Sequence, residues 1–225
     1  MPFLEIASFN VESALLAQAH GANRIELCAE QALGGISPSV ASLQALKQSV
    51  TIPVYVMVRP RGGDFTYNDA ELARMRLDLE KFKAAGADGF VFGILTEEGG
   101  VDTGRCRDLV VLAEGRPCTF HRAFDRIPEE GRQHALLDLV SAGFRNVLTS
   151  GGEANAVEGR EALKNLVLAS RQRIDIIVGG GVRSGNLEIL MREIEAEWFH
   201  SSAVVGGGDL ADGREIRELS RLVNG

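Results

Sequence analysis

Several things are missing from this sequence, and each absence narrows what the chain can be. No stretch of its 225 residues approaches the roughly 20 consecutive apolar positions that a membrane-spanning helix needs. The opening MPFLEIASFN lacks the basic segment and apolar core of a secretory signal, so residence in the cytosol is expected, with no membrane partner. A basic surplus is missing too: 24 Lys and Arg stand against 31 Asp and Glu, a formal net charge of −7. Binding to nucleic acid rests on neutralising phosphates with Lys and Arg, so that class of partner is not expected. Cysteine is scarce. Cys28, Cys106 and Cys118 are an odd number with no C-x-x-C spacing, which suggests reduced thiols and neither a disulfide framework nor a zinc ribbon. No segment reads as a linker, because the glycine clusters mostly follow strand-like runs, and residues 1–225 read as a single domain. With 45% hydrophobic residues, a chain of this length can bury a substantial core.

What is present is alternation. Short β-rich runs occur at Phe3–Ala7, Arg24–Cys28, Val54–Val58, Gly89–Gly93, Cys118–His121, Asn146–Leu148, Ile174–Val178 and Trp198–Ser201. Between them lie stretches with apolar residues at three- and four-residue spacing, including Val11–His20, Ser39–Gln48, Asn68–Ala85, Leu136–Ala142, Ala156–Ser170 and Gly185–Ile194. Glycine stops recur at His20-Gly21-Ala22, Ala85-Gly86-Ala87 and Ala142-Gly143-Phe144, where the left-handed conformation ends a helix before the next strand. Such βα repetition predicts a parallel sheet. Eight strands favour a closed (β/α)₈ TIM barrel over an open doubly wound sheet, which more often has five or six.

In a barrel of this kind, functional groups sit at the carboxyl ends of the strands. Glu5 and Glu26 interrupt apolar strand runs, and period-two alternation puts Cys28 on the same face as Glu26. A buried carboxylate needs a partner, and the cations nearest to hand are in Arg59-Pro-Arg61-Gly-Gly-Asp64. Two arginines two apart on an extended segment point to one side, as an anion clamp or as an internal ion-pair network with the glutamates. The fifth strand ends in His121-Arg122-Ala-Phe-Asp125. His121 could serve as general acid or base, or as a metal ligand, with Asp125 fixing its tautomer; alternatively the histidine is structural and Asp125 caps a helix. Gly179–Gly181 with Ser184 or Gly185, and Ser201 at the end of the eighth strand, predict a phosphate-binding turn at a helix start, with tight strand-to-helix geometry as the plain alternative. Cys28 could be a soft-metal ligand together with His121 or His200 across the mouth, or a small buried hydrophobe. Cys106 and Cys118 are not placed to join it.

The strings RIELC (Arg24–Cys28), GGISPS (Gly34–Ser39), IPVYVMVRPRGGDF (Ile52–Phe65), TFHRAFD (Thr119–Asp125), VLTSGG (Val147–Gly152), GGGVR (Gly179–Arg183) and HSS (His200–Ser202) together resemble the CutC family, almost end to end. The resemblance implies a TIM barrel and a role in copper homeostasis. Carried over, its polar cluster is Glu5, Glu26, Cys28, Arg59, Arg61, Asp64, His121, Arg122, Asp125, Ser150 and His200, with Cys28 as the thiolate for copper(I).

Two functional readings follow. One is a copper-binding protein holding Cu(I) through Cys28 and His200, although one thiolate is few soft ligands for that ion. The other is an enzyme acting on a small anionic or phosphorylated metabolite. There His121, Glu26 and Asp125 would carry acid–base chemistry, while Glu5, Arg59, Arg61, Asp64, Arg122, Ser150, Gly180, Gly181 and Ser201 would hold the substrate. A third reading, a structural ion-pair network at the mouth, has no surface signal for a protein partner beside it. A homo-oligomer is expected in either functional case.

Overall fold

The computed structural model describes residues 1–225. Its strands are β1 (Phe3–Ser8), β2 (Arg24–Leu27), β3 (Val54–Met57), β4 (Gly89–Phe92), β5 (Cys118–Phe120), β6 (Asn146–Thr149), β7 (Asp175–Val178) and β8 (Trp198–Ser201). They pair in parallel in chain order and β8 returns to β1, closing the eight-stranded barrel that the sequence predicts. A closed sheet has no edge, which excludes the open alternative.

The outer ring consists of α1 (Val11–Ala19), α2 (Val40–Lys47), α3 (Asp69–Ala84), α4 (Thr103–Leu112), α5 (Glu129–Ala142), α6 (Arg160–Ser170), α7 (Ser184–Ile194) and α8 (Gly213–Asn224). Local chemistry sets their starts. Asn10 and Ser39 accept amide hydrogen bonds at the heads of α1 and α2, and Asn68 with Glu71 makes a reciprocal capping box on α3. Two boundaries differ from the expected ones. α5 begins at Glu129, well before Leu136, because Pro128 fixes the entry and Glu129 and Glu130 suit a helix amino end. α6 begins at Arg160 rather than Ala156, because Asn155 Oδ1 accepts from the amides of Val157 and Glu158 and holds a turn there. No helix is long and apolar enough to cross a membrane.

Strand alternation divides the interior in two. Outward positions such as Ile6, Leu27, Val56, Phe92, Phe120 and Phe199 pack against Leu43, Leu79, Leu139, Leu187 and Leu219 of the helices, forming the large core. Inside the barrel the apolar cluster is small, made of Cys28, Tyr55, Met57 and Val91 with Phe9 against it. Charged and polar side chains occupy much of the rest. Two glycines make room for rings there: a Cβ on Gly89 would stand 2.7 Å from the Tyr55 ring, and one on Gly93 would stand 2.7 Å from His121 Nδ1.

Candidate functional site

Register builds the polar interior from the bottom. Glu5 on β1 lies opposite both Arg24 on β2 and His200 on β8. Arg24 Nε donates to Glu5 Oε2, and its guanidinium is sandwiched between the Trp198 ring at 3.8 Å and the Tyr55 ring at 4.3 Å. Above this, His200 Nδ1 lies 2.7 Å from Glu5 Oε1, His200 Nε2 lies 3.9 Å from Glu26 Oε2, and the Cys28 thiol donates to Glu26 Oε2 at 3.3 Å. A column of charged and polar groups thus rises from Arg24 through Glu5, His200 and Glu26 to Cys28, hydrogen-bonded throughout except at the 3.9 Å step from His200 to Glu26.

Protonation along the column follows from burial and neighbours. Burial works against the Glu5 charge, but Arg24 and His200 outweigh it and hold its pKa at about 2. Burial raises the Glu26 pKa, with His200 pulling the other way. For His200 burial opposes the charged form, yet Glu26 and Glu5 together raise its pKa. Burial, followed by the Glu26 carboxyl, pushes the Cys28 thiol well above its ordinary range. Cys28 is therefore a thiol rather than a thiolate.

A cavity of about 190 Å³ opens above this column, large enough for several waters or a small ligand. Its walls include Glu26, Cys28 and His200 on one side, Arg59, Phe65 and His121 on another, and Gly180, Gly181 and Arg183 on a third. His121 is buried; burial first and Arg59 second push its pKa down to about 3, so the ring is neutral. Its Nδ1 accepts from the Ala123 amide at 3.3 Å, which assigns the ring proton to Nε2, and that N–H has no acceptor in the protein. Gly180 and Gly181 take positive φ values of 94° and 73°, and neither amide donates to a protein acceptor.

Several predicted roles change in the structure. The carboxylates find their cations in Arg24 and His200, not in Arg59 and Arg61. Arg59 does line the cavity, but its guanidinium donates to the carbonyls of Leu33, Gly35 and Gly63, tying two loops together. Arg61 points away from the mouth, because residues 60–63 bend and break the extended geometry that would have put both arginines on one side. It pairs with Glu71 and Asp64, so Asp64, itself well exposed, belongs to that loop and not to the cavity.

Asp125 does not reach His121. It sits in a 3₁₀ turn (Arg122–Arg126) that faces the end of β6, where it accepts from Thr149 Oγ1, the amides of Ser150 and Gly152, and Arg122 Nε. Ser150 is fully buried, donating to the Glu153 carbonyl and accepting from Arg122, and it does not line the cavity. Ser201 faces the cavity, but its hydroxyl donates to Val182 O and accepts from Arg183 Nη1 at 3.0 Å. The amino end of α7 is already filled by a carboxylate: Ser184 N–H and Oγ–H both donate to Glu215 of α8, at 2.8 Å each. Ser184 is therefore no phosphate site.

Arg183 is the wall residue that sequence reasoning passed over. It donates to Val182 O, Ser201 Oγ, Ser202 Oγ and Val204 O, every one a neutral group. Arg59 likewise has only carbonyl partners, whereas Arg122 is neutralised by Asp125 at 2.7 Å. Arg24 was also missed, although alternation along β2 places it on the face that carries Glu26 and Cys28.

The donor set for a metal ion is rich in oxygen. One nitrogen or oxygen from each of Glu5, Glu26 and His200 lies within 4.8 Å of the others. Glu5 is already engaged by Arg24 and His200, and Cys28 keeps its proton.

Comparison with known proteins gives consistent matches. A family model described as CutC family matches residues 3–205. Over 200 residues the chain is 45% identical to the human copper homeostasis protein cutC homolog, covering 89% of this chain and 72% of that one. The crystal structure of CutC from Streptococcus agalactiae superposes with a TM-score of 0.85 at 33% identity, covering 90% of this chain and 99% of that one. N-(5'-phosphoribosyl)anthranilate isomerase from Pyrococcus furiosus shares the fold alone, with a TM-score of 0.65 at 16% identity over 100% of this chain and 99% of that one.

Proposed function

The chain belongs to the CutC family, and on that premise we propose that its barrel mouth binds a small anionic metabolite and performs acid–base chemistry on it. The observation that carries this reading is the pair Arg59 and Arg183. Both form the wall of one cavity, and both donate only to carbonyls and hydroxyls. Arg59 is buried and Arg183 half-buried, and a guanidinium drawn out of water without a counter-charge is costly, a charge that an anionic ligand supplies. The free amides of Gly180 and Gly181 add two donors on the same wall. Beneath them the Glu26 carboxyl stands 3.9 Å from His200 Nε2, and His121 presents a neutral N–H, which is the equipment of proton transfer rather than of simple capture.

The names of the relatives bring copper as a second reading, with Cu(I) as cargo at Cys28 and His200. One observation favours it: the Cys28 thiol and the Glu5, Glu26 and His200 donors share one column. The donor chemistry does not fit. Cu(I) selects soft ligands, and this column offers carboxylates, one imidazole and a thiol held protonated.

The two readings separate in one pair of titrations. Calorimetry with inorganic phosphate, 2-phosphoglycolate and malonate should give saturable binding for at least one anion, weakened about tenfold or more in Arg183→Gln. Titration of the reduced protein with Cu(I) against a competing chelator should give binding that Cys28→Ser retains. Tight binding near one ion per chain, lost in Cys28→Ser, with no anion bound, reverses the order of the readings.

A further inference from the structure

Two residues that line the cavity each leave one buried polar atom without a protein partner, and the chemistry of those atoms narrows the ligand. Glu26, 3% exposed, engages the Cys28 thiol through Oε2 and leaves Oε1 with no hydrogen bond. His121, 4% exposed, commits Nδ1 to the Ala123 amide and leaves its Nε2–H with no acceptor. An unmade hydrogen bond at a buried group is costly, and polar atoms so placed are ordinarily satisfied. Glu26 Oε1 calls for a donor, His121 Nε2 for an acceptor, and Arg59 with Arg183 for negative charge. A hydroxyl next to a carbonyl, on a short chain with an anionic tail, meets all three demands within a cavity of about 190 Å³.

Resting on the anion-binding reading above, we propose that the substrate is a small phosphorylated hydroxycarbonyl compound, and that Glu26 Oε1 moves a proton between its two adjacent carbons while His121 Nε2–H polarises the carbonyl oxygen. The C–H bond beside the hydroxyl breaks, its electron pair forms the double bond of an enediol, and the proton goes to Glu26. His121 passes its Nε2 proton to the former carbonyl oxygen and recovers one from the neighbouring hydroxyl. Glu26 then returns its proton to the other carbon, so the carbonyl moves by one position with no oxidant or reductant. A neutral imidazole suits this step: giving up its Nε2 proton leaves a transient imidazolate, whose negative charge the neighbouring Arg59 opposes, and the proton regained from the hydroxyl restores the neutral ring. His200 is a positioning residue: Glu5 fixes its Nδ1, and its Nε2 faces the Glu26 oxygen that does not react.

Phosphoglycolohydroxamate, a planar mimic of the enediolate, and glycerol 3-phosphate, which keeps the phosphate but lacks the planar pair of oxygens, test this by calorimetry on the whole chain. The hydroxamate should bind about tenfold or more tightly than glycerol 3-phosphate, and Glu26→Gln should remove that advantage while leaving glycerol 3-phosphate within about twofold. Equal binding of the two probes to wild type overturns the inference and leaves the anion reading standing. Binding of neither overturns both. Should Glu26→Gln not fold, His121→Gln carries the same comparison. As a measurement on the unaltered protein, nitrogen-15 NMR should show His121 as the Nε2–H tautomer from about pH 5 to pH 8, and protonation of that ring within this window overturns its role.

Discussion

At the amino-terminal end of the barrel interior an arginine sits beside a glutamate; at the carboxyl end two arginines sit beside carbonyls and hydroxyls. Arg24 and Glu5 are both almost completely buried, in register on neighbouring strands, and the guanidinium is stacked between Trp198 and Tyr55. Their charges cancel locally, and this layer closes the barrel floor. Arg59 and Arg183 occupy the cavity wall, and their positive charge is answered by no carboxylate. Buried charge in a barrel is therefore not by itself the mark of a site. The distinction lies in whether the protein supplies the counter-charge or leaves it to a ligand.

The largest effect should come from breaking the floor. Arg24→Met strands the Glu5 carboxylate and should cost about 3–5 kcal/mol in urea unfolding, as expected for one half of a buried ion pair. Arg183→Gln removes a charge that no protein group opposes. It removes up to four hydrogen bonds to neutral groups, some of which Gln can replace, and should cost about 1–2 kcal/mol, less than Arg24→Met, while weakening anion binding about tenfold. If the two variants were equally destabilised, the contrast between floor and mouth would be lost.

Acid sharpens the same comparison. The Glu5 pKa stands near 2 against an ordinary 4.5, so its contribution is complete above 4.5 and is lost as pH falls through about 2. The shift corresponds to on the order of 3 kcal/mol. His121, depressed from 6.5 to about 3, resists protonation in the folded state, so stability also declines as pH falls from 6.5 towards 3. In unfolding curves taken across this range, His121→Gln should flatten the upper part of the decline and Glu5→Gln the lower part. The smallest effect is expected for Cys28→Ser, which keeps a donor to Glu26 and should change stability by about 1 kcal/mol or less.

The fold was legible in the sequence because its signal is local and repeated: eight apolar runs, helical periodicity between them and glycine stops all agree. Much of the candidate site was legible for the same reason, since Glu26, Cys28, His121, Gly180, Gly181 and His200 all fall within strand runs or in the residues just after them and line the cavity. The misassigned partners are matters of register and turn geometry, which a single strand does not encode. Glu5 was matched to loop arginines although Arg24 lay across the ladder from it. Arg61 was grouped with Arg59 on an extended geometry that Pro60 and the Gly62-Gly63 bend interrupt. Asp125 was given to His121, although the 3₁₀ turn between them swings it towards Thr149 and Ser150. Glu215 on the amino end of α7 comes from 31 residues away, a contact that only the closed barrel brings about.

Anion-linked stability compares the mouth with a nearby arginine that the protein does neutralise. Wild type, Arg183→Gln and Arg61→Gln would be melted with and without a saturating excess of 2-phosphoglycolate. Arg61 pairs with Asp64 and Glu71 outside the cavity, so Arg61→Gln should keep the wild-type upward shift in Tm, while Arg183→Gln should lose most of it. An upward shift of the same size in all three proteins, or none in wild type, would contradict the assignment of the unpaired mouth arginines to an anionic ligand.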